Sequence, residues 1–154
     1  MVSGYKAVKS SEVPQGTFGI FQVGNSTEYG MVVESSSNNR NDVVILSEKK
    51  VRITQNVLEM VVVPDLSIEP IVERNTIRFR EHNIFLGAIR IVDGHLRLVA
   101  SDGEYFKLVD LQTGKTEQVH SHEAPMITKW DLVKIHSDGT KQVLMNSPEI
   151  EAAI

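Results

Sequence analysis

The stretch Ile84-Phe-Leu-Gly-Ala-Ile-Arg-Ile-Val92, Asp93-Gly94, His95-Leu-Arg-Leu-Val-Ala-Ser101, Asp102-Gly103, Glu104-Tyr-Phe-Lys-Leu-Val-Asp-Leu111 decides the fold class. It consists of short apolar-rich segments cut by turn dipeptides, and Thr113-Gly114 closes the series. No 3.6-residue period runs through it, whereas strands need only brief runs between turns. Asp-Gly suits the two positive-φ positions of a type I′ turn, so 84–92, 95–101 and 104–111 are predicted to form an antiparallel meander. Downstream, 130–136 and 140–145 flank Ser137-Asp138-Gly139 and are predicted to form another hairpin. The chain reads as all-β.

Upstream, strand-like runs occupy 16–23, 28–34, 42–47, 51–54 and 59–63. The polar run Ser35-Ser-Ser-Asn-Asn-Arg-Asn41 has no apolar anchor and is expected to be a loop. Pro64 and Pro70 remove ladder donors, which places a boundary near 65–72. Five short strands must curl to hide their edges and apolar face. The expected organisation is therefore two small β-barrels in tandem, at 1–66 and 72–146, followed by a tail at 147–154. A single β-sandwich is the competing architecture.

Three segments in the first half carry a resemblance: Val13-Pro-Gln-Gly-Thr-Phe-Gly-Ile20, Tyr29-Gly-Met-Val-Val-Glu34 and Val43-Val-Ile-Leu46. With the turn Gln55-Asn-Val-Leu58 before a last strand, they resemble an SH3-like barrel of the Tudor or KOW kind. Such a barrel followed by a second β domain resembles the MotB family of DNA-binding proteins of T4-like phages. That resemblance implies DNA binding with little sequence preference, and a role in modulating phage or host chromatin and transcription.

Composition narrows the function classes. A chain of 154 residues with 41% hydrophobic content can bury a real core. It has no cysteine, hence no disulfide and no thiolate metal ligand. The opening Met1-Val-Ser-Gly-Tyr-Lys6 lacks a signal-peptide apolar region, and no run approaches membrane-span length. A cytoplasmic protein is expected, in the host cytoplasm if it is a phage product. The net charge of −4 argues against wrapping DNA by bulk charge and leaves a local basic face as the route to phosphate.

One local excess of positive charge exists. Between 74 and 97 stand Arg74, Arg78, Arg80, Arg90 and Arg97, opposed by Glu81 and Asp93. Strand alternation predicts that Arg78 and Arg80 share an outer face while Ile77 and Phe79 face the core. Arg90 and Arg97 flank the Asp93-Gly94 turn and are expected to lie on one outer face if their strands pair. A smaller set, Lys49, Lys50 and Arg52, lies near a turn of the first half. These seven residues are the candidate nucleic-acid contacts. The competing reading of each is solvated surface charge.

Other chemistry is sparse. His120 and His122 alternate in a way that could bring both to one metal, and Gly114 completes an opening like that of the first cupin motif. The continuation fails, because Met126, Ile127 and Trp130 stand where that family places a Glu and a Gly. Aromatics make up 6%, with only Phe21 and Tyr29 suggesting a cage. No nucleophile elbow, phosphate loop or dinucleotide fingerprint occurs. The sequence implies a non-enzymatic binding protein without a cofactor, with duplex DNA, held through its backbone, as the first-choice partner. The alternatives are a protein-interaction adaptor or phage-particle component and, behind it, a cupin-like metalloprotein.

Overall fold

The computed structural model describes residues 5–35, 41–47, 49–119 and 124–150. In chain order come β1 (Ala7–Lys9), a 3-10 turn (Ser10–Glu12), β2 (Phe18–Val23), β3 (Ser26–Glu34), β4 (Asn41–Leu46) and β5 (Val51–Thr54). There follow β6 (Glu59–Val62), β7 (Leu66–Pro70), β8 (Ile77–Glu81), β9 (Ile89–Val92) and β10 (His95–Ser101). The series ends with β11 (Phe106–Asp110), β12 (Thr116–Gln118), β13 (Ala124–Ile127), β14 (Trp130–Ile135) and β15 (Lys141–Asn146). No described helix is long and apolar enough to cross a membrane.

Three sheets result, with orders β1-β6-β2-β3-β4-β5, β12-β11-β10-β9-β13-β8 and β15-β14-β7. The all-β expectation holds, and the sheets are open rather than closed into barrels. The meander is present as β9-β10-β11, neighbours in sequence and in space. At its first turn Asp93 has φ 52° and Gly94 φ 78°, the pair of left-handed residues that the type I′ geometry demands. The second turn differs. Only Gly103 is left-handed there, and the Asp102 carboxylate accepts from the N–H groups of Glu104 and Tyr105 at 2.9 and 2.8 Å. That local acceptor widens the loop and delays β11 to Phe106. Within 65–72, where a boundary is expected, lies β7, which pairs with β14 from Pro70↔Trp130 to Leu66↔Lys134.

The run Val43-Val-Ile-Leu46 is apolar without alternation because β4 is covered on both faces. Val44 and Leu46 join Met31, Val33, Val51 and Ile53 in the larger core, while Val43 and Ile45 join Phe21, Val32 and Met60 in a smaller one. The larger core draws on all three sheets. Ile68 and Trp130 come from the third, and Ile89, Leu98, Val109 and Ile127 from the second. Trp130 is fully buried, and its Nε1 donates to the Gly87 carbonyl at 2.6 Å.

The turn between β11 and β12 docks on the first sheet. The Glu34 N–H donates to the Gly114 carbonyl at 2.8 Å, and the Gly16 N–H donates to the Val32 carbonyl at 2.7 Å. Gly114 has φ +74°, and a Cβ there would meet the Gly16 nitrogen at 2.6 Å and the Val32 oxygen at 2.8 Å. Glycine is needed at this contact for its backbone conformation and for lack of space.

Candidate functional site

The register of the second sheet sets the arginines in a row. Arg97 is opposite Arg90, Arg90 is opposite Met126, and Met126 is opposite Arg78. Cross-strand partners share a face, so Arg90 and Arg97 lie on one side of the sheet, and the register adds Arg78 to them. Their environments differ sharply along that row.

Arg90 is buried at 5% exposure, which removes it from the outer face expected for it. Its guanidinium donates to the carbonyls of Glu81 at 2.9 Å, Ala124 at 2.8 Å and Asn83 at 2.8 Å. Burial lowers its affinity for the proton, and nearby Glu81 acts in the opposite sense. Phe85, Ala88 and Met126, the last its cross-strand partner, form a small apolar cluster with Ile150 packed on it. Sequence parity gives the face of a strand and says nothing of what lies over it. Arg90 is a clamp.

Arg97 is paired with Glu117 and only 19% exposed at its side chain, and its Nε is buried without a hydrogen-bond partner. Two like charges directly opposite repel. Here Glu117 neutralises one and backbone carbonyls satisfy the other, so neither is free for a ligand in this arrangement.

Arg78 is exposed and sits over the Phe85 ring, 5.2 Å from its centroid. It also comes within 4.0 Å of Glu81. The latter contact exposes an error of simple alternation. Between the pairs Arg78↔Met126 and Glu81↔Ala124, Phe79 and Arg80 together oppose Pro125 alone. This is a β-bulge, and Arg80 takes the left-handed conformation with φ 55°. The bulge restores Glu81, not Arg80, to the face of Arg78. Pro125 has no N–H to give the ladder, which suits a bulge at that point. Nothing in the sequence reveals that residue 125 stands opposite residue 80.

Phe79, expected in the core, is 74% exposed. β8 is an edge strand, so no neighbour covers its outer flank, and the bulge takes Phe79 out of simple register with Ile77. Ile77 still packs on the larger core. Arg78, Phe79 and Arg80 are therefore three consecutive exposed side chains on a strand edge. Arg74 is exposed in the segment before β8, as is Lys129 before β14. Of these cations, Arg78 and Lys129 line a cleft of 620 Å³ together with Phe85, Trp130, Asp131 and Asn146 among others.

Lys49, Lys50 and Arg52 are exposed, and none has an ion pair among the described residues. Lys49 borders a separate cleft of 410 Å³ with Ile20, Tyr29 and Leu144. Phe21 and Tyr29 do not form a cage: Phe21 lies in the smaller core, whereas Tyr29 packs on the larger. His120 and His122 lie outside the described residues. Among those described, no group of three His, Asp or Glu side chains is placed to hold a metal.

No protein-family model, curated protein or solved structure matches this chain.

Proposed function

We propose that this protein is a non-enzymatic nucleic-acid-binding protein that holds DNA by its phosphate backbone with little base preference. The observation that carries the reading is the consecutive exposure of Arg78, Phe79 and Arg80 on edge strand β8. Arg80 has no acidic partner among the described residues, and Arg74 and Lys129 add exposed charge on either side in sequence. Arginine meets phosphate in a planar, two-pronged geometry that suits backbone contact. Lys49, Lys50 and Arg52 serve as a second, independent set of cations. Arg90 and Arg97 act indirectly, by holding the sheet that carries β8. The run β6-β2-β3-β4-β5, in which the last strand returns beside the first, supports the SH3-like reading of the first half. A role in modulating phage or host chromatin is consistent with that reading.

Binding to dye-labelled random-sequence DNA, both duplex and single-stranded, tests the proposal by anisotropy from low to physiological salt. Affinity should fall steeply as salt rises, because bound phosphate releases counterions. Replacing both Arg78 and Arg80 with Ala should reduce the log–log salt slope by about two. Absence of binding to either form at low salt would remove the proposal.

A protein-interaction role is the second reading. It is favoured by Val143, 53% exposed on β15, an edge strand of the third sheet. Stable self-association without any response to DNA is its expected mark.

A further inference from the structure

We infer that the exposed edge of β8 is a stacking platform for unpaired bases, with Phe79 under a base and Arg78 and Arg80 on the phosphates to either side. The inference rests on the nucleic-acid reading above and adds the state of the strand that this site takes.

An aromatic ring at 74% exposure is placed in water without a packing partner that would justify it. Its immediate neighbours in sequence are both cations. The other exposed rings have less of that company: Tyr105, 54% exposed, follows Glu104, and Tyr5, 62% exposed, has one cation beside it, Lys6. The bulge contributes to the arrangement. A regular strand would set Arg78 and Arg80 side by side on one face, with Phe79 turned to the opposite one. With Phe79 and Arg80 sharing Pro125 as their partner, Arg80 leaves the face of Arg78, which Glu81 takes up, and joins Phe79 as the second residue of the bulge. Left-handed backbone at a non-glycine residue is strained, and such strain is found most often where a side chain has been aimed for use.

Charge also selects the occupant. A second copy pairing through β8 would bring Arg78 and Arg80 against their own counterparts, and like charges across a ladder repel. A polyanion meets no such penalty. Within a duplex the base faces are stacked on one another, so a protein ring on an exposed edge reaches only sugar and phosphate. A single strand offers free base faces together with a flexible chain of phosphates, the combination that rings beside cations bind without sequence preference.

The test compares a labelled oligo-dT with a duplex of equal length at low salt, using the full chain and three variants. Wild type should bind the single strand more tightly than the duplex. Phe79→Ala should weaken single-strand binding about fivefold or more and leave duplex binding unchanged. Phe79→Tyr should restore the affinity, because the ring and not its packing is what matters. Arg80→Gln should weaken both forms. Phe79 is too exposed for its loss to unfold the protein, and a thermal melt of each variant checks this. Equal affinity of wild type and Phe79→Ala for the single strand would overturn the inference while leaving phosphate binding intact. Failure of wild type to bind either form would overturn both together.

Discussion

Arg90 and Ala124 are joined by an N–H···O hydrogen bond of 2.8 Å that ties β9 to the start of β13. The same guanidinium nitrogen also reaches the Glu81 carbonyl at the end of β8, and its companion nitrogen reaches Asn83. One buried cation thus fastens three consecutive positions of the sheet to the loop that follows its edge. Replacing Arg90 with Met strips that donor from the buried Ala124 carbonyl and from the part-buried carbonyls of Glu81 and Asn83. The expected loss is about 3 kcal/mol or more, read as a lower urea midpoint. DNA affinity per folded molecule should be little changed, and a selective collapse of binding with full stability would contradict the clamp.

Gly114→Ala tests the docking of the β11–β12 turn on the first sheet. The added methyl would meet backbone atoms of Gly16 and Val32 at 2.6 and 2.8 Å, on a residue whose φ of +74° already excludes most side chains. A destabilisation of about 1–3 kcal/mol is expected from strain of this kind, measured by thermal or urea unfolding. An unchanged midpoint would mean that the turn is not held against Gly16.

The fragment 1–66 should not fold by itself. Met31, Val33, Val44, Leu46, Val51 and Ile53 belong to a core completed by the second and third sheets. Each exposed apolar side chain forfeits about 1.5–3 kcal/mol. Six of them approach or exceed the whole stability of an ordinary domain, about 5–15 kcal/mol. Circular dichroism and dispersion of amide resonances decide the matter, and a cooperative melt of the fragment would refute it.

Acid should weaken the fold through two turn carboxylates. Burial pushes the Asp102 carboxyl up, but the N–H groups of Tyr105 and Glu104 and the Lys107 ammonium at 3.4 Å outweigh it and hold it below the ordinary value. At Asp110 burial is likewise outweighed, by the N–H groups of Gln112 and Thr113 and by His95 at 3.5 Å. A carboxyl lowered on folding stabilises fully above its unfolded value and loses that contribution as pH falls through the folded one. The loss should therefore begin below the ordinary 3.8 of these groups. Urea midpoints measured from neutral pH downward should fall there, and Asp110→Asn should flatten the decline.

What was legible in the sequence followed local chemistry. Asp93-Gly94 fixed its own turn because both residues tolerate left-handed backbone, and the strands on either side had no other way to run. The unbroken apolar run at 43–46 carried the information that β4 is covered twice, although not by which strands. The arginine row was half legible. Parity put Arg90 and Arg97 on one face, yet the burial of Arg90 comes with carbonyl acceptors at residues 81, 83 and 124 that no local pattern reveals. The exposure of Phe79 was illegible for a related reason. A bulge is a property of two strands, and Pro125 lies 46 positions from Phe79 in the chain. The open sheets likewise reflect contacts between halves, such as Gly114 on Gly16, that no local pattern encodes.

The chain contains a single tryptophan, and Trp130 is wholly enclosed where the third sheet meets the larger core. Its indole is anchored to Gly87, while its backbone exchanges hydrogen bonds with Ser147. The molecule therefore carries a built-in optical reporter. Ultraviolet emission from this one ring should be blue in the native state and shift red when water reaches it. Because segments from all three sheets enclose it, its colour follows their assembly as a unit.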